Sequence, residues 1–172
     1  GPMFRASTLA TLTTGLLVLT GQVAAAAPET NQAGPAEVVR SFNAAVTDRN
    51  LEQLLGHFAE GGVQFNLRPS HGGLQTGPMT TELTARWSMV GPVLFSATSV
   101  YERHAKILDV HATGDVATVW AEVSTRTTMA SSGETSSEAF TEVYLLVHRQ
   151  EGWRIAAVAD NRQPDNIGIA AD

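Results

Sequence analysis

The stretch DVATVWAEVSTRTT, residues 115–128, decides the fold. Trp120, Glu122, Ser124 and Arg126 fall on one face of an extended chain and their neighbours on the other, the period-2 signature of a strand. The same period holds on both sides of it. Upstream, Val100–His111 is joined to it through Thr113-Gly114-Asp115, a hairpin turn. Downstream, Ser137–Arg149 follows a looser Ser131-Ser132-Gly133 connection, and Trp153–Arg162 follows Gln150-Glu151-Gly152. Strands joined by such short links are sequential antiparallel neighbours, because parallel pairing needs long crossovers.

The first half of the chain reads differently. Pro35 suits a first helical turn, and Val38, Val39, Phe42, Ala45 and Val46 form one stripe of a 3.6-residue helix. Asn50 with Gln53 starts a second helix whose inner face is Leu51, Leu54, Leu55 and Phe58, ended by Gly61-Gly62. Val63, Phe65 and Leu67 alternate with polar residues as a half-buried strand. Ser70-His71-Gly72-Gly73 reads as a turn, with a short return strand from Leu74 to Gly77. Thr80 or Thr81 caps a third helix carrying Leu83, Trp87 and Val90, which Gly91-Pro92 closes. Helices first and a meander after them spell an α+β domain with helices on one sheet face.

Composition narrows the function. The chain has 172 residues and a formal net charge of −6, so it offers no basic field for nucleic acid. It has no cysteine, which excludes disulfides, thiolate catalysis and cysteine-ligated metals. Its histidines (57, 71, 104, 111, 148) lack the spacing of a zinc site, so no metal is expected.

Gly1-Pro2 ahead of Met3 reads as the scar of a removed tag. Residues 3–27 carry Arg5, an apolar run from Leu9 to Leu19 and an Ala24–Ala27 site, the pattern of a signal peptide cleaved near Ala26 or Ala27. The expectation is a secreted or periplasmic protein with no membrane anchorage after leader removal. Residues 28–35 are a linker, 36–163 the domain and 164–172 a C-terminal tail.

Three blocks carry a resemblance: Asp48-Arg49-Asn50-Leu51 through Leu55 and Phe58-Ala59-Glu60; Gly114-Asp115-Val116-Ala117; and Gly152-Trp153-Arg154-Ile155-Ala156-Ala157 ending in Asp160-Asn161-Arg162. In order and spacing the chain resembles the nuclear transport factor 2-like superfamily, SnoaL-like branch, and its ending is similar to SgcJ/EcaC-type proteins. The resemblance implies a cone-shaped α+β barrel, with three helices on the concave face of a strongly curved, mainly antiparallel sheet. It implies one apolar pocket for a small apolar organic ligand, polyketide- or steroid-like, and a homodimer joined through the outer sheet face. Chemistry stays open, because fold does not fix it.

Aligned with ketosteroid isomerases, which this chain resembles in outline, Phe42, Asn66 and Leu145 take the positions of the tyrosine, the aspartate base and the neutral aspartic acid. None of the three can do that work, so classical ketosteroid isomerase chemistry is excluded. The same alignment turns Ala156, Val158, Asp160 and Arg162 inward, with Val143, Leu145 and Val147 beside them. Asp160 is then an acid/base candidate and Arg162 an anion or carbonyl clamp, or the two form an ion pair closing the mouth, or Asp160 and Asn161 end the strand. His104 is the best-placed proton shuttle if its strand parity is inward, and a solvated or dimer-facing residue if outward. Trp87 lines the pocket entrance or is ordinary core. Glu122 is a second acid/base if its face is concave. The preferred reading is convex, with Trp120, Tyr144 and Leu146 making the dimer patch. The inventory supports proton transfer without a cofactor, with a non-catalytic carrier or a dimeric scaffold as the alternatives.

Overall fold

The structure, a computed structural model, describes residues 32–67, 69–70, 73–74 and 80–163. The expected leader, the tail at 164–172 and His71 lie outside the described residues. Pro35 opens helix α1 (Pro35–Thr47), which buries Val38, Val39, Phe42, Ala45 and Val46 as its stripe predicts, and Asn43 among them. Arg49 follows with φ 56°, a left-handed step that reverses the chain, and Asn50 then accepts from the Gln53 amide at 3.0 Å to cap α2 (Leu51–Leu55). The Arg49 guanidinium donates to the carbonyls of Phe95 (2.5 Å) and Thr98 (2.9 Å). It thereby satisfies acceptors at the end of α3 (Leu83–Ala97), which would otherwise be orphaned.

Two helix boundaries differ from the sequence reading. The second helix ends at Leu55, and Phe58 opens strand β1 (Phe58–Asn66). Sheet pairing wins there, since Phe58 registers with Ile155 and the Ile155 amide donates to His57 O at 2.8 Å. The third helix does not stop at Gly91-Pro92 but continues to Ala97. Leu94 beyond the proline is buried, the Arg49 cap holds the last turn, and Gly91 lets Leu51 Cδ1 come within 3.0 Å of where a β-carbon would stand. Tertiary packing overrides the usual cost of an interior proline. Thr80–Thr81 form the short strand β4 rather than a cap, after the two-residue strands β2 (Pro69–Ser70) and β3 (Gly73–Leu74), which pair with each other.

The meander follows the sequence reading: β5 (Thr98–Thr113), β6 (Val116–Met129), β7 (Thr135–Arg149) and β8 (Gly152–Asp160). Gly114 has φ 61° in the two-residue link between Thr113 and Val116, the positive first position that a type II′ hairpin requires. The six-stranded sheet has the order β4-β1-β8-β7-β6-β5, antiparallel except for β1 beside β8. Register shifts at Leu108 and Ala156 mark bulges, which bend and twist the strands that carry them. Strand β5 is an edge, and Thr47 reaches it from the end of α1. The Thr47 hydroxyl donates to Arg103 O (3.0 Å) and accepts from the Arg103 amide (2.8 Å).

Register sorts the two faces. The helix-covered inner face carries Tyr101, Arg103 and Ala105, then Ala117 to Val123 at odd positions, Phe140, Glu142, Tyr144 and Leu146, and Ile155, Val158 and Asp160. The outer face carries a rung running straight across five strands: Phe65, Ala159, Val143, Trp120, Asp109. This reverses the expected parity of β7. Leu145 is 39% exposed on the outer face, while Tyr144 and Leu146 are fully buried and cannot form an outer patch. Both parities of β7 carry large apolar side chains, so alternation alone could not choose between them, and a one-residue slip flips the whole strand. The pairing Tyr144↔Val158 decides it. Among the described residues no helix is long and apolar enough to cross a membrane.

Candidate functional site

The inner face holds a charged centre where an apolar wall was expected. Arg103 and Glu142, with side chains 5% and 2% exposed, meet on neighbouring levels of β5 and β7. One Arg103 terminal nitrogen donates to both Glu142 oxygens, at 2.6 and 2.7 Å, and its Nε donates to Asn43 Oδ1 at 2.7 Å. Tyr144 donates to Glu142 Oε1 at 2.5 Å and accepts from Asn43 Nδ2 at 3.2 Å, while the same Nδ2 donates to Val39 O. The rings of Phe42 and Phe140 stand 6.0 and 5.6 Å from the guanidinium carbon. Burial opposes the charge on Arg103, but the Glu142 carboxylate outweighs it and raises the guanidinium pKa well above the ordinary arginine value. Burial, reinforced by Glu142, likewise pushes the Tyr144 hydroxyl far up and keeps it protonated. The cluster is closed and mutually bonded. It positions α1 on the sheet.

A second polar group lies at the end of β8. Asp160 is buried. Its Oδ1 accepts from Asn66 Nδ2 (2.8 Å) and from the Arg162 amide (3.1 Å), and its Oδ2 takes a single long bond from Gln64 Nε2 (3.3 Å). The Asp160-to-Arg162 bond is an Asx turn, which ends the strand. Asn66 Nδ2 also donates to Arg162 O at 2.7 Å. The Arg162 guanidinium lies 5.0 Å over the Phe140 ring, donates to Tyr101 Oη at 3.4 Å, and approaches Glu138 Oε2 to 3.5 Å through Nε. The structure thus brings together Asp160, Asn66 and Arg162, with Val158 on the same face. It adds Gln64, Tyr101 and Glu138, which the sequence reading missed. Glu138 shares the inward row of β7 with Phe140 and Glu142, a parity that the alternation of that strand does not decide, and Gln64 and Tyr101 come from β1 and β5.

Other candidates separate from this group. His104 is exposed on the outer face across from Ser124, so it and Asp160 stand on opposite sides of the sheet and cannot share a substrate. The strand's parity corrects the proton-shuttle reading. His104 lines a groove of about 670 Å³ with Glu102, Ser124, Arg126, Ser137 and Ala139. Leu145 leaves the ligand-facing set for the same reason. Phe42 is enclosed by His57, Phe58, Trp87 and Tyr144 at ring separations of 5.3 to 6.4 Å, and Trp87 is half-buried as its edge-on neighbour. Glu122 and Trp120 are both exposed on the outer face, the convex arrangement. No cluster of three or more metal-ligating side chains occurs among the described residues.

No protein-family model matches the chain, and no curated protein matches it. Solved structures do. A ketosteroid isomerase-like protein from Erwinia carotovora atroseptica superposes with a TM-score of 0.59 at 16% identity, covering 73% of this chain and 90% of that one. A hexachlorocyclohexane dehydrochlorinase from Novosphingobium barchaimii gives 0.58 at 9% identity, covering 73% and 81%. A nuclear transport factor 2-like protein of unknown function from Shewanella oneidensis gives 0.55 at 9% identity, covering 73% and 93%. Helix order, sheet topology and these superpositions agree: the chain has the nuclear transport factor 2-like fold.

Proposed function

We propose that this domain is an exported SnoaL-like protein that binds a small, largely apolar organic molecule at the β8 end of the inner face and acts on it by cofactor-independent proton transfer. The observation that carries this reading is Asp160, a buried carboxylate whose Oδ2 takes only one long bond and whose Oδ1 accepts from the backbone amide of Arg162. In this reading Asp160 Oδ2 takes a proton from substrate and returns it, while Arg162 stabilises charge developing on a neighbouring oxygen. Isomerase-like and dehydrochlorinase names among the structural neighbours support a small-molecule chemistry of this type.

The partner in this reading is a second copy. The outer rung of Phe65, Ala159, Val143 and Trp120, with Leu145 and Val116 on adjoining rungs, is an apolar band, and it replaces the expected patch of Trp120, Tyr144 and Leu146. The leader pattern at 3–27 supports export.

Denaturing mass spectrometry of organic extracts identifies the bound molecule, and turnover of that molecule is then compared between the native protein and Asp160→Asn. Loss of turnover with retained binding is expected, and undiminished turnover would overturn the assignment. The closed Arg103–Glu142–Tyr144 cluster, which occupies inner-face space with protein atoms, favours a second reading as a non-catalytic carrier. That reading predicts retained ligand and no turnover in either protein.

A further inference from the structure

Among the described residues, two buried side-chain atoms lack a hydrogen-bond partner, and they belong to neighbours: Nε of Arg162 and Oε1 of Glu138. The two side chains approach to 3.5 Å, an ion-pair distance without hydrogen-bond geometry. One orphan is a donor and the other an acceptor. Both orphan atoms are themselves enclosed, while the side chains that carry them are 13% and 12% exposed. Arg162 is held in place by its stack on Phe140 and its contact with Tyr101 Oη. The terminal torsion of Glu138 is soft, and turning its carboxylate away would carry Oε1 toward the exposed part of the side chain and uncover Arg162 Nε.

Among the described residues, Glu142 is matched by Arg103 and Glu138 stands against Arg162, which leaves the Asp160 carboxylate with no cationic side chain at ion-pair distance. A further carboxylate arriving here would be a third negative group in low dielectric. An ammonium would satisfy Glu138 but leave the Arg162 donor orphaned and set a cation beside a guanidinium.

We propose that Arg162 and Glu138 form a receptor for a neutral group that accepts and donates a hydrogen bond on one edge, a carboxamide, lactam or hydroxyl of the ligand, and that the site rejects carboxylates. The ligand oxygen accepts from Arg162, and its N–H or O–H donates to Glu138 Oε1. This deepens the proposed function and rests on that reading of the β8 end. It names the polar headgroup the molecule carries.

Three probes with one ring and different heads test it: benzamide, benzoate and benzylammonium, titrated into the ¹⁵N-labelled protein. The Arg162 Nε–Hε resonance, assigned by its absence in Arg162→Lys, is the readout. Benzamide is expected to shift it, with benzoate and benzylammonium weaker by about tenfold or more, the change that one unmatched polar group produces. Glu138→Gln keeps an acceptor oxygen and removes a negative charge, so benzoate should gain about tenfold while benzamide is retained. Circular dichroism confirms that both variants fold, and the native-protein ranking needs neither. Benzoate binding at least as well as benzamide through Arg162 would overturn the selectivity while leaving the mouth a binding site. No response to any probe, or a crystal soaked in benzamide that shows only a bridging water, would overturn the receptor; silence from all three also counts against the proposed function.

Discussion

Arg103–Glu142 and Arg162–Glu138 lie on the same face of one sheet, yet the first pair is closed and the second open. In the first, both carboxylate oxygens are bonded, Asn43 accepts from the guanidinium Nε, and Tyr144 donates to the same carboxylate. In the second, the partners stand 3.5 Å apart with a donor and an acceptor unmet. A buried pair is tolerable when every lone pair and proton has somewhere to go, and costly when one does not. The difference separates a part that holds α1 on the sheet from a part still able to bond to something else.

That contrast can be broken by mutation. Glu142→Ala leaves Arg103 buried and uncompensated, and should cost about 3–5 kcal/mol in urea unfolding. Replacing both partners, with Arg103→Met and Glu142→Leu, should recover most of that loss, which separates the penalty of a stranded charge from the worth of the pair. Leu146→Ala should cost about 2–5 kcal/mol, against about 0.5 kcal/mol or less for Leu145→Ala; equal losses would overturn the parity assigned to β7. Arg162→Met, which breaks an unbonded approach, one long contact and the stack on Phe140, should cost about 1–2 kcal/mol. A loss matching that of Glu142→Ala would show the two pairs to be of one kind.

The smallest effect concerns pH. His57 packs edge-on to Phe42, whose ring borders Arg103, and burial lowers its pKa below the ordinary 6.5, against the opposing pull of the Gln53 carbonyl. A histidine with a lowered folded-state pKa contributes stability above 6.5 and loses it as pH falls from 6.5 through the folded value. His57→Gln should flatten the stability profile in that window without changing the plateau's shape above it, as urea midpoints at stepped pH would record.

The meander was legible in the sequence because its period of two runs long and its turns carry Gly114 and Gly152, so four strands were placed to within a few residues. The α1 stripe was legible for the same reason of periodicity. Asn66 and Asp160 were recognised through the resemblance, and their adjacency comes from β1 pairing in parallel with β8, a contact across more than 90 residues that no local pattern encodes. The side of β7 facing inward was not legible, since Val143, Leu145 and Val147 make as good an apolar face as Phe140, Tyr144 and Leu146. Nor was the passage of α3 through Pro92, because the groups that permit it, Arg49 and Leu51, lie in another part of the chain.

Thr47 has an effect out of proportion to its size. Strand β5 spans sixteen residues along the sheet's margin, long enough to template a foreign strand. One hydroxyl already occupies both backbone groups of Arg103, and the irregularity at Leu108 interrupts the remaining length. No incoming chain finds an unbroken run of free amides and carbonyls there. Concentrated protein is thereby protected against end-to-end ribbon growth, and association is left to faces rather than rims.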